Sequence, residues 1–584
     1  MTKAAANLHL THYDRNDALL IAALVLICAA VYVPGAFFRD LWPPDEPRYA
    51  QVAREMVECG QWLVPHLNYE VYPDKPPLFF WLVVLSSRAF GGFNTFAVIL
   101  PSVLAGMGTV LLTYLLAKSM FQSKLVGFLG GLILATSAEF LALSTTGRMD
   151  ILLTFFEMLS LFCFWRWHVR GRRVYLFPFY IGMALAVLTK GPVGLLPLAI
   201  ALIYLAASRQ GAKVRQMRLE LGLIGIAAIV ACWLVPAAVA GGEPYWKEML
   251  GTQIFGRVYK SWSHREPFYY YMIHFTWAFL PWFVLLPAAL IRYVRERTER
   301  ATVQSKFLTT WFLTILVLFT LISGKRDVYI LPLYPACALF LAKYLGDIIS
   351  AGQRKPVALM VGFALLFAAM LGSSVASIFV KTPYKAPENR VLFGIGSAYI
   401  AVMGASGLVS LRARTFKPAL AITSCFMICT LLLATPTVIP LVNKYKSAAP
   451  LGTTIQEVRK GTEHVGMYGF YRAEFSFYTG ARIETVKDSE QLARFLQEPA
   501  GAFCIIQHRD LEQVEESLPE DTVSLGTFVV GHRTLVLLYN PPDNTRLPVG
   551  AVLSPRRIFD EPALPVEETQ LLMKGREQNA RITR

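Results

Sequence analysis

The residues able to do chemistry sit in a few short polar segments of an otherwise apolar chain. In LWPPDEPRYAQVAREM (41–56), Asp45 and Glu46 follow two prolines and Arg48 stands close behind. Pro47-Arg48 opens a helix-like run, so the acidic pair suits a helix N-terminus. A carboxylate there could equally serve as acid, base or charge stabiliser. In YEVYPDKPPLFFW (69–81), Asp74-Lys75 precedes a double proline and an apolar run. A lysine held by prolines at a membrane boundary can meet a lipid phosphate; the plainer reading is snorkelling. GRMD (147–150) brings Arg148 and Asp150, suited either to a reaction centre or to an ion pair between two spans. Lys190 lies in TKGPVG, and HREPFYYY (264–271) sets His264 beside Arg265 and Glu266. A lone histidine is usually a surface residue; with a carboxylate from another loop, such as Asp74, it would make part of a zinc set. SGKRDVYILPLYP (323–335) offers Lys325 and Arg326, and arginine is suited to bidentate phosphate binding.

The elements that position these residues are membrane spans. The chain has 584 residues, 55% of them hydrophobic and 16% charged, against about 25% charged in soluble domains. Apolar runs predict about thirteen spans, near residues 18–37, 95–117, 125–145, 150–167, 174–189, 192–207, 219–240, 270–291, 306–322, 329–346, 356–380, 392–411 and 418–440. The first lacks a small-residue cleavage site and reads as retained. Residues 79–90 are too short to cross and read as a re-entrant or interfacial helix. Basic loops at 118–124, 166–173, 208–218, 292–300, 352–355 and 412–417 all fall on one side if the N-terminus is cytoplasmic. That rule accounts for the net charge of +16 without nucleic acid. The eight cysteines have no CxxC spacing, and nothing supports a bridge between Cys59 and Cys504.

Residues 445–540 alternate helix-like and strand-like segments. The predicted fold is an all-α polytopic membrane protein with a small C-terminal α/β domain outside. The membrane domain covers 1–444, with outer loops 39–94 and 241–269; the α/β domain covers 445–540; a loose tail covers 541–584. This topology puts Asp45, Lys75, Asp150, Lys190, His264, Lys325 and Arg326 on the outer face. Basic residues with one or two carboxylates there describe a site for an anionic lipid head group.

At these motifs, over roughly residues 15–335, the chain resembles the GT-C glycosyltransferases of the protein-mannosyltransferase superfamily. It is especially similar to the bacterial aminoarabinose transferases that modify lipid A. The resemblance implies inverting transfer of a sugar from undecaprenyl phosphate to lipid A or another glycan. It implies a multi-pass protein of the bacterial inner membrane with a periplasmic active site and a cytoplasmic N-terminus. Asp45 matches the catalytic acidic residue and Asp150 the second one; Lys75 matches the contact to the carrier phosphate. Arg48, Arg265, Lys325 and Arg326 are candidates for the same phosphate. The family's zinc would fall to Asp74 and His264, with aspartate where the family usually has glutamate. Partners are the lipid-linked donor, the glycan acceptor and membrane lipids; neither a nucleotide cofactor nor nucleic acid is expected. The alternatives are a related transferase acting on another glycan or on protein Ser/Thr, and a lipid transporter or flippase. The latter calls for ionisable residues in mid-span and repeat symmetry. The residues leave sugar, acceptor and oligomeric state open.

Overall fold

A computed structural model of the chain describes residues 14–249, 251, 266–299, 302–322, 324–354, 356–379 and 389–542. His264, Arg265 and the tail from 543 onward lie outside the described residues. In chain order the helices are α1 (Arg15–Phe38), α2 (Asp45–Glu58), α3 (Leu78–Ala89), α4 (Thr95–Phe121), α5 (Lys124–Ala135), α6 (Ala138–Ser144) and α7 (Met149–Arg170). There follow α8 (Leu176–Lys190), α9 (Leu196–Ala207), α10 (Leu219–Lys247), α11 (Tyr270–Ala278), α12 (Leu286–Glu299), α13 (Val303–Leu321) and α14 (Tyr334–Ser350). The last long helices are α15 (Val357–Phe379), α16 (Arg390–Ser410) and α17 (Lys417–Lys446), before the shorter α18 (Ala449–Val458), α19 (Phe475–Thr479) and α20 (Ser489–Leu496).

Among the described residues, nine helices are long and apolar enough to cross a bilayer, or up to eleven if each of two bent pairs is one span. This is a multi-pass membrane protein. The two predicted spans outside that count are α7, which carries Asp150, Glu157, Arg166 and Arg170, and the short Pro192–Ala207. The 79–90 segment forms α3, a helix too short to span.

Two spans predicted as continuous are broken. Helices α5 and α6 are bent by 71°, and α11 and the segment Trp282–Tyr293 by 111°. Pro281 explains the second break, because it lacks an N–H and its ring clashes with the preceding turn. The two breaks meet. The Ala138 N–H donates to the Leu280 carbonyl (2.9 Å) and the Trp282 indole to the Thr136 hydroxyl (3.0 Å). Non-helical backbone at membrane depth is tolerated when protein groups satisfy it in this way.

The described residues cluster into two compact units. The larger holds residues 1–39, 61–65 and 71–439; the smaller holds 40–60, 66–70 and everything from 440. The smaller unit is built on a five-stranded mixed sheet. Its strands are β3 (His464–Tyr468), β4 (Ile483–Val486), β5 (Ala502–Gln507), β6 (Val523–Val530) and β7 (Arg533–Asn540); β1 (His66–Leu67) and β2 (Glu70–Val71) form a separate hairpin. The sheet order is β4-β3-β5-β7-β6, parallel at β4-β3-β5 and antiparallel beyond. Strand β5 is buried along its whole length, as expected of a central strand covered on both faces. One core gathers Leu451, Ile455, Phe475, Phe503 and Leu537; the other gathers Leu492, Leu496, Cys504, Ile506 and Leu538. All eight cysteines are free thiols, and Cys504 is buried in β5.

Candidate active site

In the larger unit, ionisable side chains gather at one end of the helices. Asp150, in the first turn of α7 and 5% exposed, is ion-paired with Lys190, the last residue of α8. Gly191 follows at φ 81°, a left-handed position that lets the chain leave α8 and enter Pro192. The Lys190 ammonium also lies 5.0 Å from the centre of the Tyr329 ring. The backbone of Arg148 is held by Ser102, whose hydroxyl donates to its carbonyl (3.0 Å) and accepts from its N–H (3.3 Å). Asp150 thus meets Lys190, and the backbone of Arg148 is anchored on α4.

Lys325 and Arg326 reach the same end. The Tyr329 ring beside Lys190 is three residues from Arg326, and the Tyr271 hydroxyl donates to the Arg326 carbonyl (3.2 Å). Lys325 is 4% exposed and donates to the carbonyls of Ile322 (2.8 Å) and Glu266 (3.1 Å). Two of its three ammonium protons are therefore spent on backbone, leaving one for a ligand. Arg326 is half-buried, as are Asp74 and Lys75 in the turn before α3. The opposite end of the unit has its own charges: Asp17 meets Lys118 (2.7 Å) and the Tyr114 hydroxyl (2.7 Å), and Asp14 pairs with Lys124.

Glu157 was not anticipated from the sequence. It is 1% exposed, two turns below Asp150 on the same face of α7, and both carboxyl oxygens are without a hydrogen-bond partner. The signal was available: an acid inside an apolar run at helical spacing from another acid. It also corrects the expectation that the charges keep to the outer span ends.

The smaller unit carries the first-loop acids. Asp45 opens α2, is 4% exposed and is ion-paired with Arg48 one turn along, whose guanidinium lies 5.3 Å from the Tyr49 ring. The Glu46 carboxylate accepts the Trp42 N–H (2.9 Å). Glu46 thus reaches back to the segment before α2 and Asp45 turns to Arg48, both from the first turn of the helix. Helix α2 is fastened to the C-terminal sheet domain within this unit. Arg54 donates to the Phe477 carbonyl (2.5 Å) and stacks 4.4 Å from that ring; the Tyr478 hydroxyl donates to the Leu41 carbonyl (2.7 Å). The Asn443 amide oxygen accepts the Asp40 N–H (3.1 Å) and the Trp42 indole (2.9 Å). Glu55, fully buried, accepts the N–H groups of Asn68 (2.8 Å) and Tyr69 (2.9 Å).

Glu474 precedes α19 and is 7% exposed. Burial pushes its carboxyl above the ordinary range; Arg472 and Arg48 pull against the shift and Asp45 adds to it. It thus shares the electrostatic surroundings of Asp45 although more than 400 residues separate them in the chain. No sequence signal marks it, since the encounter is created by the docking of α19 on α2.

Of the proposed zinc pair, Asp74 is described and His264 is not. One carboxylate does not test the donor set, and no step is routed through a metal there.

The model of the family described as dolichyl-phosphate-mannose-protein mannosyltransferase matches residues 18–247. The undecaprenyl phosphate-alpha-4-amino-4-deoxy-L-arabinose arabinosyl transferase 2 of Proteus mirabilis is 30% identical over 387 residues, 63% of this chain and 68% of that protein. The chain belongs to the GT-C family that includes these transferases. A similarly named enzyme of Pseudomonas fluorescens is 28% identical over 433 residues, covering 69% of this chain and 71% of its own. Among solved structures, ArnT from Cupriavidus metallidurans bound to undecaprenyl phosphate superposes with a TM-score of 0.74 at 19% identity. The match covers 90% of this chain and 98% of that one, which establishes a common fold. The membrane helices with a small C-terminal sheet domain are thus the GT-C architecture, and the protein is a glycosyltransferase.

Proposed function

We propose that this protein transfers 4-amino-4-deoxy-L-arabinose from undecaprenyl phosphate to lipid A, on the periplasmic side of a bacterial inner membrane, with its N-terminus in the cytoplasm. The observation that carries the reading is the similarity to transferases named for that donor. The charged end of the helices, with Asp150, Lys190, Lys325 and Arg326, suits an anionic head group. The positive-inside distribution of the basic loops supports the sidedness.

In the proposed reaction the acceptor attacks the anomeric carbon from the face opposite the departing phosphate. Lys75, with Arg48, Arg265 and Arg326, offsets the charge that grows on that phosphate. The single proton Lys325 has to spare makes it a lesser contributor. A lipid A phosphate is already ionised and needs no strong base, so Asp45 orients the acceptor or stabilises oxocarbenium character. A hydroxyl acceptor would instead have Asp45 remove its proton.

The test is mass spectrometry of lipid A from cells with and without the protein, and with Asp45→Asn. The pentosamine adduct should appear with the wild type only, while Asp45→Asn is expressed at equal level with transfer lowered by roughly 10²–10⁴-fold. Normal modification by Asp45→Asn refutes the catalytic role. Unmodified lipid A with active wild-type protein moves the acceptor to another glycan.

A further inference from the structure

The broken spans bring together three metal-ligating side chains that the glycosyl-transfer reading does not use. Glu139 stands in the first turn of α6, just past the break from α5. His274 lies in α11, before the break at Leu280-Pro281. Asp327 opens the 3-10 turn Asp327–Leu333 that leads into α14. The imidazole Nε2 of His274 is 3.3 Å from Oε2 of Glu139, and one donor atom from each of the three residues lies within 4.8 Å of the others. Among the described residues this is the one group of three or more His, Cys, Asp or Glu side chains so arranged.

The surroundings hold these donors in place. The Tyr334 hydroxyl donates to the Glu139 carboxylate. The Tyr270 ring stacks on the His274 imidazole at 5.8 Å, with the planes 4° apart. The backbone bond Ala138–Leu280 and the side-chain bond Trp282–Thr136 fix the two breaks that carry Glu139 and His274 to each other. A hydrogen-bonded pair needs only His274 and Glu139. Asp327 accepts the Val328 N–H (2.9 Å) through Oδ1, and a carboxylate held in this way has a second oxygen to offer an ion. A protonated histidine would offset one of the two carboxylates, whereas a divalent ion offsets both. Nitrogen and oxygen donors on one tetrahedral zinc stand roughly 3.4 Å apart. The His274–Glu139 spacing of 3.3 Å already meets that distance, and with all three donors within 4.8 Å of one another Asp327 has at most about 1.4 Å to close.

We propose that Glu139, His274 and Asp327 bind a divalent first-row transition-metal ion, Zn²⁺ in the first instance, with a fourth position open to water. One imidazole and two carboxylates are a donor set that such ions accept. The site is distinct from the Asp74/His264 pair and does not depend on the identity of the sugar or acceptor.

Purified full-length protein, stripped with EDTA and reloaded with ZnCl₂, should retain about one equivalent of zinc by elemental analysis. His274→Gln and Asp327→Asn should each weaken retention at least about tenfold, since even outer-shell losses cost that much. Each is measured in an Asp74→Asn background, so that the other candidate pair does not enter the count. Zinc retained in that background by the combined Glu139→Gln/His274→Gln/Asp327→Asn variant overturns the proposal. A measurement on the wild type stands if the variants fail to fold. Protein reloaded with Co²⁺ should show the visible absorption of a low-coordinate ion with a nitrogen ligand. Wild-type protein that binds neither ion above a tenth of an equivalent also overturns it.

Discussion

Replacing Lys190 by methionine tests whether the Asp150–Lys190 pair is an energetic unit. The two side chains are 7% and 15% exposed, so the pair sits largely out of water. At an effective dielectric of about 20, opposite charges 4 Å apart attract by about 4 kcal/mol. Removing one member of a buried pair costs about 3–5 kcal/mol, because the other is left uncompensated. Lys190→Met offers Asp150 neither charge nor donor, while Asp150→Asn keeps a group that can accept a proton from Lys190. The expected order of destabilisation is Lys190→Met first, then Asp150→Asn, with the double variant less damaged than the sum of the two. A double-mutant cycle on the purified protein, read by SDS-induced unfolding, should return a coupling of about 2 kcal/mol or more. A coupling under about 0.5 kcal/mol would put the pair among exposed surface bridges and refute the reasoning. So would equal damage from the two single variants.

Two other predictions concern the smaller unit. Glu55→Ala removes the acceptor of the Asn68 and Tyr69 N–H groups, at about 1–3 kcal/mol for each buried donor left unpaired. The penalty is sharpened because both residues sit at positive φ, 58° and 63°, where tyrosine is held only by its surroundings. The variant should be cleaved near residues 66–71 by limited proteolysis under conditions that spare the wild type, and equal resistance would count against the anchoring role. Glu474 gives a pH dependence. Its carboxyl binds a proton more tightly folded than unfolded, so it favours the folded state below its ordinary value of 4.5. That contribution is lost as pH rises from 4.5 through the raised value. Thermal unfolding of Glu474→Gln should therefore change less with pH over that interval, and parallel curves for variant and wild type would contradict the assignment.

Hydropathy and charge determined much about this protein by themselves. The long apolar runs specify helices because a bilayer offers no partner for an unpaired backbone group, whatever the neighbours are. The alternation of helix-like and strand-like segments after residue 445 specifies the sheet domain, a local pattern the structure contains. The motifs around Asp45, Lys75 and Asp150 stood out as candidate sites because charged residues are costly near a membrane and conspicuous in an apolar chain.

What tertiary structure alone decided are the pairings. Nothing in the local sequence joins Asp150 to Lys190, forty residues away; the packing of α7 on α8 makes that pair. The residues 125–145 and 270–291 read as unbroken spans, since apolar content does not report a bend. The two breaks meet through the Ala138–Leu280 backbone bond and the Trp282–Thr136 side-chain bond. Those breaks bring Glu139 to His274, and the docking of α19 on α2 brings Glu474 into the field of Asp45. Separations of more than a hundred residues are closed there by packing, which no local pattern of side chains encodes.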